Sequence, residues 1–353
     1  MSDTSSSQSS PAESLPPVDP YARINQLANA AFTREVLRKI NEVILPLNDR
    51  GSGPAFYCIH SITGAATDFR FMAQMLGPNQ RFFGIQTPTR KRTAEFPISV
   101  ESISEYYVDS LIKFQPEGSF ILGGHSIGSM IALEMAQQLR ARGREVSFVV
   151  VFDGELFNTG ADLSMFNPLY WIKLLWNVPR WIRDVLIVEY DIQTLYKTLL
   201  TKAIATGKTL KAKTTGEAIS SGHAVEGFID IGNCTPQHAA FMKTLFENQY
   251  AYVPKQYSGR LLVCVARTQG LVYLRQVEAA WRKIAPAAEV KHFDGTHTSI
   301  MRVPQGIPIA KYLTDQIAKI GRDVIPSPAT RSDPASGATL FEPIPTPQTL
   351  PAP

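Results

Sequence analysis

The sequence predicts an α/β fold, a mostly parallel central sheet with helices on both faces and a helical insertion as a lid. From Pro54 onward, short apolar runs alternate with segments of helical period, which is the pattern of strand–helix–strand units. Capping residues stand at segment borders, as Ser99 and Gly143 do. An insertion, about Phe157 to Glu247, interrupts the rhythm before it resumes.

Tyr21 to Leu47 has helical periodicity and runs into PLNDRGSGP, a cluster of turn formers. PAFYCIH then reads as a strand, FRFMAQML as a helix and RFFGIQ as a short strand. SVESISEYYVDSLIKF is helical, with Ser99 as its cap and Glu101 in the first turn. SFILGGHS is a strand, and IGSMIALEMAQQLRARG a helix closed by Gly143. VSFVVVFDG is again a strand. Beyond the insertion come strand GRLLVCVAR, helix VEAAWRKIA, strand EVKHFDG and helix IPIAKYLTDQIAKIG. The insertion holds Tyr170, Trp171, Trp176, Trp181 and further aromatics. They either form its own core or line a substrate channel.

Composition narrows the function classes. With 44% hydrophobic and 19% charged residues the chain fits a soluble globular protein. Its net charge of +4, densest at Arg90, Lys91 and Arg92, gives no nucleic-acid-binding stripe. Cys58, Cys234 and Cys264 are odd in number and lack metal-ligand spacing, as expected of reduced thiols in a cytoplasmic protein. The longest apolar stretch, within Met165 to Val188, carries Lys173, Arg180, Arg183 and Asp184, and Pro179 besides, so no membrane span is expected. Residues 1–20 lack a signal peptide's basic and apolar regions and read as a disordered tail. Residues 325–353 read as a second, Pro-rich tail, leaving one domain over residues 21–324.

The chemistry centres on ILGGHSIGSMIALEM, where Ser126 stands between Gly124 and Gly128. A G-x-S-x-G between a strand and a helix is a nucleophile elbow, which lifts a hydroxyl above the carboxyl edge of the sheet. A serine nucleophile needs a base, and the base an orienting acid, in the chain order Ser, Asp or Glu, His. Asp153 closes an apolar strand, where solvation poorly explains a carboxylate, and Glu155 is the fallback. Of six histidines, His60 and His125 come too early, His223 and His238 lie in the insertion, and His292 sits within a strand. His297, in the loop DGTHTSI, is the predicted base, with Asp294 read as a turn residue. Oxyanion donors are expected from the backbone of Ile127 and of Ile62, in the loop IHSITGAATDF, and His60 either braces that loop or is a satisfied structural histidine.

Together FYCIHSITGAATDF, GGHSIGSMIALEMAQQLRARGREVSFVVVFDG and FDGTHTSIM resemble the thioesterase family of nonribosomal peptide and polyketide synthases, a branch of the α/β-hydrolases. The resemblance runs from about Pro54 to Lys319. It implies Ser126 as nucleophile, Asp153 as acid, His297 as base and a mobile lid after Asp153. Ser129 replaces a glycine usual in the family, a change expected to matter little because serine is small. The resemblance further implies acyl transfer from a phosphopantetheine or coenzyme A thioester through an acyl-enzyme, with no metal and no bound cofactor. The chain starts at Met1 with a polar tail and shows no D-S-L-like carrier site. A small-molecule acyl substrate is therefore expected on an acyl or peptidyl carrier protein acting in trans. A carboxylester or amide hydrolase or acyltransferase with the same triad is the alternative within this chemistry. A non-catalytic hydrolase-fold binding protein is the alternative from another class. Trp171, Trp176 and Trp181 recur every five residues, with Pro179 among them. They cannot share one helical face, so some are expected to line the substrate channel.

Overall fold

The computed structural model describes residues 43–88, 99–159, 166–184, 235–270 and 274–323. Its sheet has seven strands: β1 (Ile44–Asn48), β2 (Phe56–Ile59), β3 (Phe82–Ile85), β4 (Phe120–His125), β5 (Val146–Phe152), β6 (Leu261–Ala266) and β7 (Glu289–Phe293). Their order across the sheet is β1-β3-β2-β4-β5-β6-β7. All neighbours pair in parallel except β1, which runs antiparallel to β3. The helices are α1 (Arg70–Met75), α2 (Val100–Phe114), α3 (Ile127–Ala141), α4 (Pro168–Trp181), α5 (Pro236–Gln249), α6 (Val277–Ile284) and α7 (Gly306–Asp323). The expected tails, residues 1–20 and 325–353, lie outside the described residues, as do Cys234 and His223.

The strand alternation sorts side chains onto two faces. Tyr57, Ile59, Leu122, Val149, Val151 and Val263 pack with Ile103, Tyr107, Ile131 and Met135 of α2 and α3. Phe56, Cys58, Ile121, Phe148, Val150 and Cys264 pack with Met72 of α1 and Ile309, Leu313 and Ile317 of α7. A parallel strand covered on both sides must be apolar along its whole length. The buried runs of β2, β3, β4 and β6 follow from that, and Cys58 and Cys264 are buried free thiols within it.

One element corrects the sequence reading. Ile44–Asn48 forms the edge strand β1 rather than the end of a helix passing into a turn. Pro46 supplies the reason. It has no N–H, and in a helix its ring would clash with the carbonyl four residues earlier, whereas an edge strand tolerates it. The register slips between Pro46 and Asn48. There the Asn48 amide reaches the carbonyls of Gly77 and Gln80 at 3.1 and 2.8 Å.

The borders of α2 and α3 are as predicted. Ser99 accepts from the Ser102 N–H at 3.1 Å, and Gly143 takes φ +74° just beyond α3. Replacing Ser99 by Ala should cost about 1 kcal/mol, the usual worth of a cap. Gly124→Ala should cost about 3 kcal/mol or more, because the added Cβ falls 2.0 Å from the carbonyl oxygen of Gly128. Urea denaturation of both variants checks this. Equal, small losses would show that strand and helix are free to separate at their crossing.

Candidate active site

Strand β4 turns into α3 at Ser126, which adopts φ 57° and ψ −126°, a conformation costly for a residue with a side chain. The surroundings enforce it. The Ser126 N–H donates to the Phe152 carbonyl at 3.1 Å and its own carbonyl accepts from Ser129 at 3.0 Å. A Cβ at Gly128 would meet the His60 carbonyl oxygen at 2.4 Å, so the start of α3 presses on the loop after β2. The motif's two glycines are therefore steric requirements. Ser129 does more than fit in place of a glycine. It is fully buried, its hydroxyl donates to the Gly124 carbonyl at 2.6 Å, and Gly154 abuts it.

Asp153 leaves the end of β5 with φ 49° and is fully buried. Its Oδ2 accepts from His297 Nδ1 at 2.7 Å and from Arg275 Nη2 at 2.5 Å, and its Oδ1 from the Ala266 N–H at 2.9 Å. Burial pushes the carboxyl toward protonation, but the Arg275 guanidinium and the His297 hydrogen bond outweigh it and hold Asp153 well below the usual carboxylate range. Asp153 is thus an acid hydrogen-bonded to His297. His297 sits on a turn closed reciprocally. The Thr296 N–H donates to Ser299 Oγ at 2.8 Å, and the Ser299 N–H to Thr296 Oγ1 at 3.2 Å. Asp294 faces out to Arg267 at 2.9 Å, a turn residue as expected, and His292 stays on its strand.

With Asp153 ionised and accepting at Nδ1–H, His297 keeps Nε2 as the nitrogen for a substrate-side proton. The ring of His125, next to Ser126 in the chain, stacks on the His297 ring at 4.6 Å. His125 Nε2–H donates to the His297 carbonyl at 2.7 Å. So the structure joins Asp153 to His297 directly and brings Ser126 beside them through His125. Among the described residues, no hydrogen bond joins Ser126 Oγ to His297.

Ile127 opens α3 with its N–H at the helix N-terminus, and Ile62 lies half-buried on the facing loop, packed against the core. His60 is fully buried. Its Nδ1–H donates to the Ser61 carbonyl at 2.5 Å, and its Nε2 meets the Tyr107 hydroxyl at 2.6 Å, so it braces that loop. His238 on α5 donates from Nε2 to the Thr63 carbonyl of the same loop at 2.7 Å. The place of His238 in the insertion sets it apart from the predicted triad but gives no sign of this contact. In α4, Trp171 and Trp176 are 56% and 69% exposed, and Trp181 is half-buried. Among the described residues no group of three His, Cys, Asp or Glu side chains gathers as a metal site. None of the described helices is long and apolar enough to cross a membrane.

His125 gives the site a pH signature. Burial, aided by the neighbouring His297, lowers it from 6.5 to about 3. The unfolded chain takes up this proton at a higher pH than the folded chain, so stability falls as pH drops from about 6.5 toward 3. Asp153, also held below its ordinary value, acts in the same sense at lower pH, its stabilising contribution being lost as pH falls through the carboxylate range. His125→Phe keeps the stack but removes the proton. Between pH 7.5 and 5, the unmodified chain is therefore expected to lose about 2 kcal/mol more stability than the variant. Parallel losses in chemical denaturation would exclude His125 as the cause.

Residues 54–162 match the family model for the thioesterase domain. Enterobactin synthase component F of Escherichia coli (strain K12) is 34% identical over 112 residues, which are 32% of this chain and 9% of that protein. The chain thus spans less than a tenth of that relative's length. The Vlm2 thioesterase domain, solved with a bound dodecadepsipeptide, superposes over 79% of this chain and 98% of its own, with a TM-score of 0.50 and 16% identity. The four-domain nonribosomal peptide synthetase AB3403 superposes over 80% of this chain and 21% of its own, with a TM-score of 0.53 and 18% identity. These structural likenesses establish the α/β-hydrolase fold of the sheet and helices. The sequence match includes the elbow and the strand closing on Asp153, and over residues 54–162 the chain is similar to the thioesterase domains of nonribosomal peptide and polyketide synthases.

Proposed function

We propose that Ser126, His297 and Asp153 form a catalytic triad that releases an acyl group from a thioester through an acyl-enzyme. The observation that carries this reading is the hydrogen bond of 2.7 Å between His297 and the fully buried Asp153, close to a strained elbow serine. Ser126 Oγ attacks the thioester carbonyl carbon while His297 Nε2 takes its proton. The backbone N–H groups of Ile62 and Ile127 bind the resulting oxyanion. The C–S bond then breaks, and the thiol leaves with the proton from His297. In the second half, water or another nucleophile gives its proton to His297 and displaces Ser126. Asp153 stays ionised and stabilises the imidazolium each time it forms. In a structure without substrate, an unmade serine–histidine hydrogen bond is ordinary.

The thiol is assigned as phosphopantetheine on an acyl or peptidyl carrier protein, or as coenzyme A, and the setting as cytoplasmic. The synthases among the relatives support the carrier assignment. The catalytic domain is taken as residues 21–324 with the lid at about 157–247. Trp171, Trp176 and Trp181 are proposed to wall the acyl channel, since exposed indoles on a helix beside the site suit a long apolar chain.

Ser126→Ala is expected to abolish the acyl-enzyme seen by mass spectrometry and to slow turnover by about a thousandfold or more. His297→Ala should match it, and His292→Ala should be mild. Paired assays on a thioester and an oxygen ester of the same acyl chain measure the preference for sulfur. Near-normal turnover in Ser126→Ala would end the triad reading. Trp176→Ala and Trp181→Ala should shift the relative turnover of short and long acyl thioesters while a small fluorophosphonate still labels Ser126. Unchanged selectivity in both would remove the tryptophans from the channel.

A further inference from the structure

Helix α4 docks by its polar side chains. Its buried residues are Tyr170 and Asn177, while Leu175 is 73% and Trp176 69% exposed. The Asn177 carboxamide clasps the main chain of Gln269 in both directions, accepting from its N–H at 2.9 Å and donating to its carbonyl at 3.1 Å. The Gln269 carboxamide repeats the arrangement one step on. It accepts from the Arg275 N–H at 2.8 Å and donates to the Arg275 carbonyl at 3.3 Å. Arg275 in turn grips Asp153 twice, Nη2 on the carboxylate at 2.5 Å and Nη1 on the main-chain carbonyl at 3.2 Å. A second tether runs alongside. Asp184, just past α4 and buried, accepts from the Thr268 hydroxyl, and the Thr268 N–H donates to the Gly295 carbonyl on the His297 turn at 3.0 Å.

We propose that Arg275 is a positioning residue for Asp153 and that the lid helix sets its placement through Asn177 and Gln269. This rests on the reading of Asp153 and His297 as the orienting pair of the triad. Each link is an amide matched at both donor and acceptor, so displacing α4 leaves polar groups of Gln269 without those partners and frees the backbone that fixes Arg275. The guanidinium is the charged partner of a fully buried carboxylate, so a shift of Arg275 moves Asp153 and with it the imidazole. A seated lid thus gives a fully oriented triad, and a lifted lid a slack one. The acyl-enzyme would then form and break only under a closed lid.

The test is the rate at which a small fluorophosphonate phosphonylates Ser126 in the full chain, with melting temperature followed in parallel. Such a probe needs no acyl channel, so lid effects on its rate report triad orientation. Asn177→Ala, far from the reacting atoms, should slow labelling about tenfold. Arg275→Ala should slow it about a hundredfold, and Arg275→Lys, which keeps the charge, should recover part of that loss. The double variant Asn177→Ala/Arg275→Ala should label no more slowly than Arg275→Ala alone, because both changes break one chain of contacts. If Arg275→Ala does not fold, the same comparison with Arg275→Lys decides. Parental labelling in a folded Asn177→Ala, or multiplied losses in the double variant, would overturn the coupling. If the parent chain is not labelled, or Ser126→Ala is labelled equally, the triad reading itself fails, and that outcome is separate from a failure of the coupling alone.

Discussion

A fully buried carboxylate is the constraint around which this molecule is arranged. An ionised group taken out of water must meet donors at its oxygens and an opposite charge nearby, or it takes up a proton. Asp153 has the donors from three separate segments: the end of β6 through Ala266, the loop before α6 through Arg275, and the turn after β7 through His297. Each segment is placed by the sheet, and each is drawn to one point at its carboxyl edge. The left-handed φ of Asp153 aims its carboxylate there, and Trp281 fixes the chain just beyond, its indole N–H donating to the Gly154 carbonyl at 2.7 Å. The same contacts that make the carboxylate tolerable give the imidazole its tautomer and direction.

The second constraint is steric. Strand β4, helix α3 and the loop after β2 cross so closely at Ser126 that side chains at Gly124, Gly128 or Gly154 would overlap neighbouring atoms. The backbone compression needed to lift the serine is therefore shared by glycines and by the Ser129–Gly124 hydrogen bond. A buried hydroxyl at position 129 adds a donor where a glycine would leave the Gly124 carbonyl to other partners.

The parallel strands and the caps of α2 and α3 were legible because each has a local signature, an apolar run or a serine before a helix, and a carboxylate ending a strand pointed to the acid that the fold sets beside His297. Strand β1 was not, since apolar residues at Ile44, Leu45 and Leu47 suit either period, and only Pro46 argued against a helix. Arg275 left no motif at all. A buried carboxylate implies a cation, yet Arg267 and Arg275 flank the same loop, and it is Arg267 that pairs with exposed Asp294. Which arginine turns inward depends on Gln269 and Asn177, residues distant in sequence whose amides carry no periodic signal. The grip of His238 on the Thr63 carbonyl is equally non-local.

Those two contacts together describe how the insertion is held. Helix α4 reaches the loop before α6 through Asn177, and α5 reaches the loop after β2 through His238. Helix α5 also buries Phe241, Met242 and Leu245 in the core, whereas α4 buries Tyr170 and Asn177. A hydrogen bond contributes a net of only about 1 kcal/mol, because water replaces the partner when it breaks, whereas burying the indoles of Trp171 and Trp176 would fix α4 far more firmly. Those indoles are instead exposed. A helix fastened by a few exchangeable polar bonds loses less on lifting than one held by buried indoles. On the proposed thioesterase reading, an apolar acyl chain would give the exposed indoles a partner and so favour the seated position of α4, in which Asn177 holds Gln269.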